Sequence, residues 1–142
     1  MKVFPKAITP EALLCEAKKA REASYAPYSA CRVGAALLAK DGHIYHGCNI
    51  ENAAFGPTVC AERVAIFKAV SEGIREFSAI AVVGGKAAET AGLFPPCGVC
   101  RQVLREFCAP EDLTIILEKE DGSPLLLTLA DLLPHSFGPD FL

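Results

Sequence analysis

The spacing of apolar positions changes along the chain, and the changes mark its elements. Thr9-Pro10-Glu11 combines a capping hydroxyl, a proline suited to the first helical position and an acid near the positive end of a helix dipole. This predicts a helix over residues 10–23. Two apolar-rich runs, 32–39 and 43–50, are separated by Lys40-Asp41-Gly42, and an Asp-Gly pair between such runs marks a hairpin of antiparallel strands. Residues 60–71 are apolar nearly all round apart from Glu62, Arg63 and Lys68, and Gly73 stands where a C-terminal cap belongs. A largely buried second helix is expected there. The run 78–83 barely alternates and is β-branched at its end, the pattern of a strand covered on both faces. A loop then leads to Pro96.

Further on, Cys100, Val103, Leu104 and Phe107 recur at helical i, i+3, i+4, i+7 spacing before Pro110, so 97–108 reads as a third helix. A strand at 114–117, an Asp121-Gly122 turn, a short strand at 125–127 and a short helix at 128–133 complete the order. Strands alternating with helices in this way form one sheet with helices on its faces, an α/β fold. With no internal repeat, linker or low-complexity stretch, residues 1–142 read as a single domain.

Composition narrows the functional class. At 142 residues the chain is long enough to bury about two-thirds of its unfolded surface. Its longest nearly unbroken apolar run, 33–39, contains Gly34 and ends at Lys40, well short of the roughly 18–20 residues of a membrane span. Pro5, Pro10 and Glu11 interrupt the stretch where a secretory signal would be apolar. A cytoplasmic protein with no membrane partner is expected. The net charge is −3, with nine basic against six acidic residues in 1–71 and five against eleven in 72–142. The densest basic cluster, Lys18, Lys19 and Arg21, lies between Glu16 and Glu22, the makeup of a solvated helix face. That is too little for a nucleic-acid polymer, whose binding needs several phosphate contacts.

Seven cysteines cannot all pair within one chain, which favours a reducing compartment where clustered thiols bind metal or do chemistry. Cys60 falls at the start of the second predicted helix, Cys97 and Cys100 at the start of the third. A helix N-terminus carries partial positive charge and draws a thiol toward the thiolate that metals require. Cys97 and Cys100, three apart, lie on one helix face. Two such helix ends facing each other supply three soft ligands, the number found in catalytic zinc sites that keep a fourth position for water. His43, His46 and His135 are all remote from the Cys-x-x-Cys pair, so no fourth protein ligand is evident. Glu62, two residues after Cys60, is placed to move protons to and from such a water. A ligand, one residue, Glu, and then Pro-Cys-x-x-Cys is the signature of zinc deaminases. Here it reads Cys60-Ala61-Glu62 and Pro96-Cys97-Gly98-Val99-Cys100. The competing reading makes these cysteines small buried hydrophobes or a redox pair. Cys15, Cys31, Cys48 and Cys108 carry no such motif and are expected in the core.

The sequence resembles the cytidine deaminases of the short-chain, homotetrameric class with three cysteine ligands. The match runs from Tyr25-Ala26-Pro27-Tyr28-Ser29 through Val33-Gly34-Ala35, Gly47-Cys48-Asn49-Ile50-Glu51-Asn52-Ala53 and the two cysteine motifs to Leu132-Leu133-Pro134 and Phe137. The resemblance implies a three-layer sandwich with a mixed five-stranded sheet between helices. It also implies one zinc ion per chain on Cys60, Cys97 and Cys100. The implied reaction is hydrolytic deamination of cytidine and deoxycytidine to uridine and deoxyuridine with release of ammonia, in pyrimidine salvage, with Glu62 as proton carrier.

Further roles follow from the same resemblance. Arg63 would hydrogen-bond the ligand sulfurs and offset their negative charge, where a surface ion pair is the plainer alternative. Asn49 and Glu51, read as ending the second strand on one face, would hold the ribose hydroxyls, the alternative being side chains that cap a loop. Ala61 would line the substrate site. Phe137 would reach into a neighbouring subunit's site, unless it simply packs in the core. Two positions depart from the family pattern: Cys31 stands where Phe is common beside the base, and Phe55 where Tyr is common. They leave room for a related deaminase acting on a modified nucleoside or a blasticidin S-like compound. A non-catalytic, zinc-stabilised interaction module is a further reading, against which Glu62 argues.

Overall fold

The computed structural model describes residues 8–86, 88 and 92–142. Pro5 and part of the loop expected after residue 83 lie outside them. The elements run α1 (Pro10–Arg21), β1 (Arg32–Ala39), β2 (Ile44–Cys48), α2 (Ala61–Ser71), β3 (Phe77–Gly85), α3 (Gly98–Phe107), β4 (Thr114–Glu118), β5 (Pro124–Thr128) and α4 (Leu129–Leu132). A 3₁₀ turn at Pro139–Phe141, not expected from the sequence, ends the chain.

The capping logic at α1 holds: Thr9 is the N-cap, its hydroxyl accepts from Ala12 N at 3.1 Å, and Pro10 follows it. The five strands pair in the order β2-β1-β3-β4-β5. All neighbours are antiparallel except β3 and β4, which run parallel because α3 carries the chain back across the sheet. The sheet is therefore mixed.

Alternate residues of the central strands face opposite layers. Ala36, Leu38, Ala79, Ala81, Val83 and Ile116 pack with Leu13, Leu14 and Ala17 of α1. On the other face Ala35, Leu37, Ile80, Val82 and Ile115 pack with Ala61, Ala65 and Ile66 of α2 and Leu104 of α3. Burial on both faces explains why β1 and β3 read as continuous apolar runs rather than alternating ones. Gly47 sets how closely α2 approaches the sheet: a Cβ there would lie 2.1 Å from the Ala61 carbonyl oxygen and 2.6 Å from Ala65 N.

α2 is largely buried as expected, with Ala61, Glu62, Ala65, Ile66 and Ala69 covered and Phe67 48% exposed on the face turned from the sheet. One expectation is corrected. Cys15 is exposed rather than in the core, since at 100° per residue it turns away from the stripe of Leu13, Leu14 and Ala17. Cys108 is buried as expected, with its thiol pushed up to about 12 by burial, while Cys31 and Cys48 are half-buried.

Candidate active site

The N-terminal ends of α2 and α3 converge, bringing Cys60, Cys97 and Cys100 together beside the start of β1. Cys60 and Cys97 are the N-cap residues of these helices, in extended backbone, and Cys100 lies in the first turn of α3. The three sulfurs lie within 4.8 Å of one another, with Cys60 Sγ 3.7 Å from Cys97 Sγ. Zinc–sulfur bonds of about 2.3 Å at tetrahedral angles separate two sulfurs by about 3.8 Å, so the spacing fits zinc. Cys97 Sγ also accepts from Cys100 N at 3.5 Å, which orients it at the helix end. The Cys60 thiol is held below the ordinary cysteine range by its bond with Cys100, helped by Arg63 and Cys97. The same bond, with burial, pushes the Cys100 thiol up.

Glu62, in the first turn of α2, is 3% exposed, and its Oε1 is buried without a hydrogen-bond partner. Burial pushes its carboxyl up to about 7, where it gives and takes protons near neutrality. An unpartnered buried carboxylate oxygen beside three sulfurs is costly in a purely structural site. Arg63 donates from Nη2 to Cys60 Sγ at 3.5 Å, the bond expected of it, while its Nε is buried without a partner.

A cleft of about 360 Å³ opens beside the sulfurs and is lined by Ser29, Cys31, Asn49, Glu51, Cys60, Glu62 and Phe94, among others. Asn49 and Glu51 lie beyond β2, which ends at Cys48; they flank Ile50, which bridges Tyr25 and Val59. Their i, i+2 spacing still brings both to the cleft. Asn49 Oδ1 accepts from Val33 N at 2.8 Å and its Nδ2 donates to the Cys31 carbonyl at 2.7 Å. Glu51 accepts from the backbone N–H groups of Tyr28 and Ser29 and from the Ser29 hydroxyl, which holds its carboxyl below the usual range. Both side chains thus do the loop-capping weighed as the alternative to ribose binding, and both also border the cleft.

Other expected site residues stand apart. Ala61 is fully buried, its carbonyl against Gly47. Phe55 is 87% exposed and outside the cleft lining. Phe137 is 58% exposed, which excludes core packing within this chain; its ring stacks on Phe141 at 5.5 Å and its carbonyl accepts from Gln102. Phe94 and Ser29 line the cleft without having been singled out in the sequence. Ser29 lay inside the Tyr-Ser stretch already noted, whereas nothing in the apolar pattern marked Phe94.

Comparisons with known proteins agree with this geometry. The family model for the cytidine and deoxycytidylate deaminase zinc-binding region matches residues 8–115. A cytidine deaminase of Sporosarcina psychrophila is 54% identical over 132 residues, covering 93% of each chain. One from Halalkalibacterium halodurans is 52% identical over 125 residues, 88% of this chain and 91% of that one. The crystal structure of cytidine deaminase from Burkholderia pseudomallei superposes with a TM-score of 0.83 at 49% identity, covering 92% of this chain and 100% of that one. Its counterpart from Mycobacterium tuberculosis gives 0.76 at 37% identity, over 92% and 98%. A family model spanning residues 8–115 and relatives 54% and 52% identical over nearly their whole length show that the chain belongs to the cytidine and deoxycytidylate deaminases.

Proposed function

We propose that this protein hydrolyses cytidine and deoxycytidine to uridine and deoxyuridine, releasing ammonia. The observation that carries the reading is the buried, unpartnered Glu62 oxygen beside the Cys60–Cys97–Cys100 cluster, at the floor of a nucleoside-sized cleft. One zinc ion, held by the three sulfurs, supplies the Lewis acidity that makes water nucleophilic near neutral pH. Water adds at carbon 4 of the base while Glu62 takes up its proton and delivers it to ring nitrogen 3. Glu62 then takes the proton of the hydroxyl now on carbon 4 and passes it to the exocyclic amine, so that the carbon–nitrogen bond breaks, ammonia leaves and a carbonyl remains at carbon 4. A carboxyl near 7 suits both halves of this work.

Arg63 offsets the charge of three thiolates through its bond to Cys60. Asn49 and Glu51 present their remaining acceptor and donor capacity to the ribose hydroxyls, from positions fixed by the backbone bonds they already make. The Glu51 carboxylate repels a 5′-phosphate, so nucleosides are favoured over nucleotides. Ala61 and Phe55 belong to the substrate-binding set that the family resemblance implies, and Phe137 serves a neighbouring subunit's site in a homotetramer. The exposed Phe67, Phe137 and Phe141 rings support such association. Among the described residues no helix is long and apolar enough to cross a membrane. Seven unpaired cysteines fit a reducing compartment, the cytoplasm. Incubating zinc-loaded protein with cytidine tests the reading: uridine and ammonia in equal amounts are expected, and unchanged cytidine contradicts it.

A further inference from the structure

Cytosine is a flat aromatic ring, and a site that selects it needs a flat apolar surface as well as polar contacts. Among the described residues that line the cleft, Phe94 is the one aromatic side chain, and the neighbouring apolar walls, Cys31, Val33 and Val59, are small. Phe94 sits three residues before Cys97, so the backbone that positions a metal ligand also positions its ring. The ring has a built seat. At Gly84, near the end of β3, a Cβ would come within 2.8, 2.8 and 2.9 Å of three Phe94 ring atoms, closer than real side chains approach. The ring therefore occupies the space that any other residue at 84 would fill.

We infer that Phe94 is the surface on which the cytosine ring stacks, with Gly84 the positioning residue that lets it lie there. The small Cys31 side chain leaves room in the cleft for the base. The inference rests on the deaminase reading and extends it by assigning base selection to a residue of the cleft wall. Stacking acts on the bound base whether or not water has added, so it lowers KM more than it raises kcat.

The test is steady-state kinetics on cytidine for the zinc-loaded native protein and the Phe94→Ala, Phe94→Leu and Gly84→Ala variants, with zinc content and thermal midpoint measured for each. Leucine keeps apolar bulk and removes the ring. Phe94→Leu and Phe94→Ala are expected to raise KM about tenfold, the usual cost of losing one base–aromatic stack. Their kcat should stay within about threefold of native and their zinc content unchanged. Calorimetry with uridine should show the same loss of affinity. Gly84→Ala should raise KM in the same direction, although residue 84 lines no part of the cleft. A native KM and native uridine affinity in Phe94→Leu overturn the inference, and native turnover of cytidine leaves the deaminase reading standing beside that failure. Absence of turnover in the native protein overturns both. If Phe94→Ala does not fold, Phe94→Leu and Gly84→Ala decide.

Discussion

Arg63 donates from its guanidinium to the sulfur of Cys60, one helical turn back, at 3.5 Å. The same α2 turn that supplies a metal ligand thus supplies the cation that moderates its charge. Partners of this kind typically change metal affinity or activity 10- to 100-fold when removed. Arg63→Ala is expected to weaken zinc binding by about that factor, read by competition with a chelator of known affinity. Unchanged affinity and unchanged turnover together would reduce Arg63 to a structural side chain.

The three sulfurs should hold one zinc per chain, and Cys100→Ser, at a fully buried position, should lose stoichiometric metal. A ligand present at 1,000 times its dissociation constant stabilises a fold by about 4 kcal/mol, and each kcal/mol shifts the midpoint of a domain this size by about 2–4 °C. Stripping the metal is therefore expected to lower the thermal midpoint by about 10 °C, restored when zinc is added back. Elemental analysis and calorimetry on the same samples check both statements.

The close packing of α2 on β2 carries this site, so a change behind it should be felt at the metal. In Gly47→Ala the new Cβ would meet the Ala61 carbonyl, one residue from Cys60 and from Glu62. Overpacking of this kind costs about 1–3 kcal/mol. Denaturant unfolding is expected to show that loss, and the displaced helix start should lower zinc occupancy as well. Full stability with full occupancy would mean that the sheet and helix separate without consequence.

Glu51 gives a pH dependence whose sign is fixed by its partners. Its carboxyl is held below the usual range, first by the Ser29 hydroxyl and then by backbone N–H groups of Tyr28 and Ser29. The ionised form is thus favoured in the folded state. Its contribution is complete above the unfolded carboxylate value of about 4.3 and is lost as pH falls through the lower folded value. Thermal midpoints of native protein and Glu51→Gln should therefore differ at pH 7 and converge toward pH 3. A constant gap across that range would place the effect elsewhere.

Much of this arrangement was legible in the chain because its parts are local. Thr9-Pro10, the Asp-Gly turn and the run from Cys97 to Phe107 each declare an element through a few neighbouring residues. The cysteine motifs declare the metal site because helix ends impose their own geometry. What stayed hidden depends on distant residues. Phe94 lines the cleft with its ring packed against Gly84 of β3, a contact that no local spacing announces. The exposed face of α2 reads as core because its apolar content does not say how many faces meet the sheet. Asn49 and Glu51 both border the cleft, but from a segment beyond β2 rather than from its end, and their bonds to Val33, Cys31, Tyr28 and Ser29 depend on loops the pattern does not describe.

The account stands or falls on Glu62 as the proton carrier beside the sulfur cluster. The most direct measurement is the rate of uridine formation from cytidine by the native protein and by Glu62→Gln, with zinc content determined for both. The account predicts turnover in the native protein, a fall of roughly 100- to 10,000-fold in the variant, and the same single zinc in each. Native-like turnover in a fully zinc-loaded Glu62→Gln protein would contradict it.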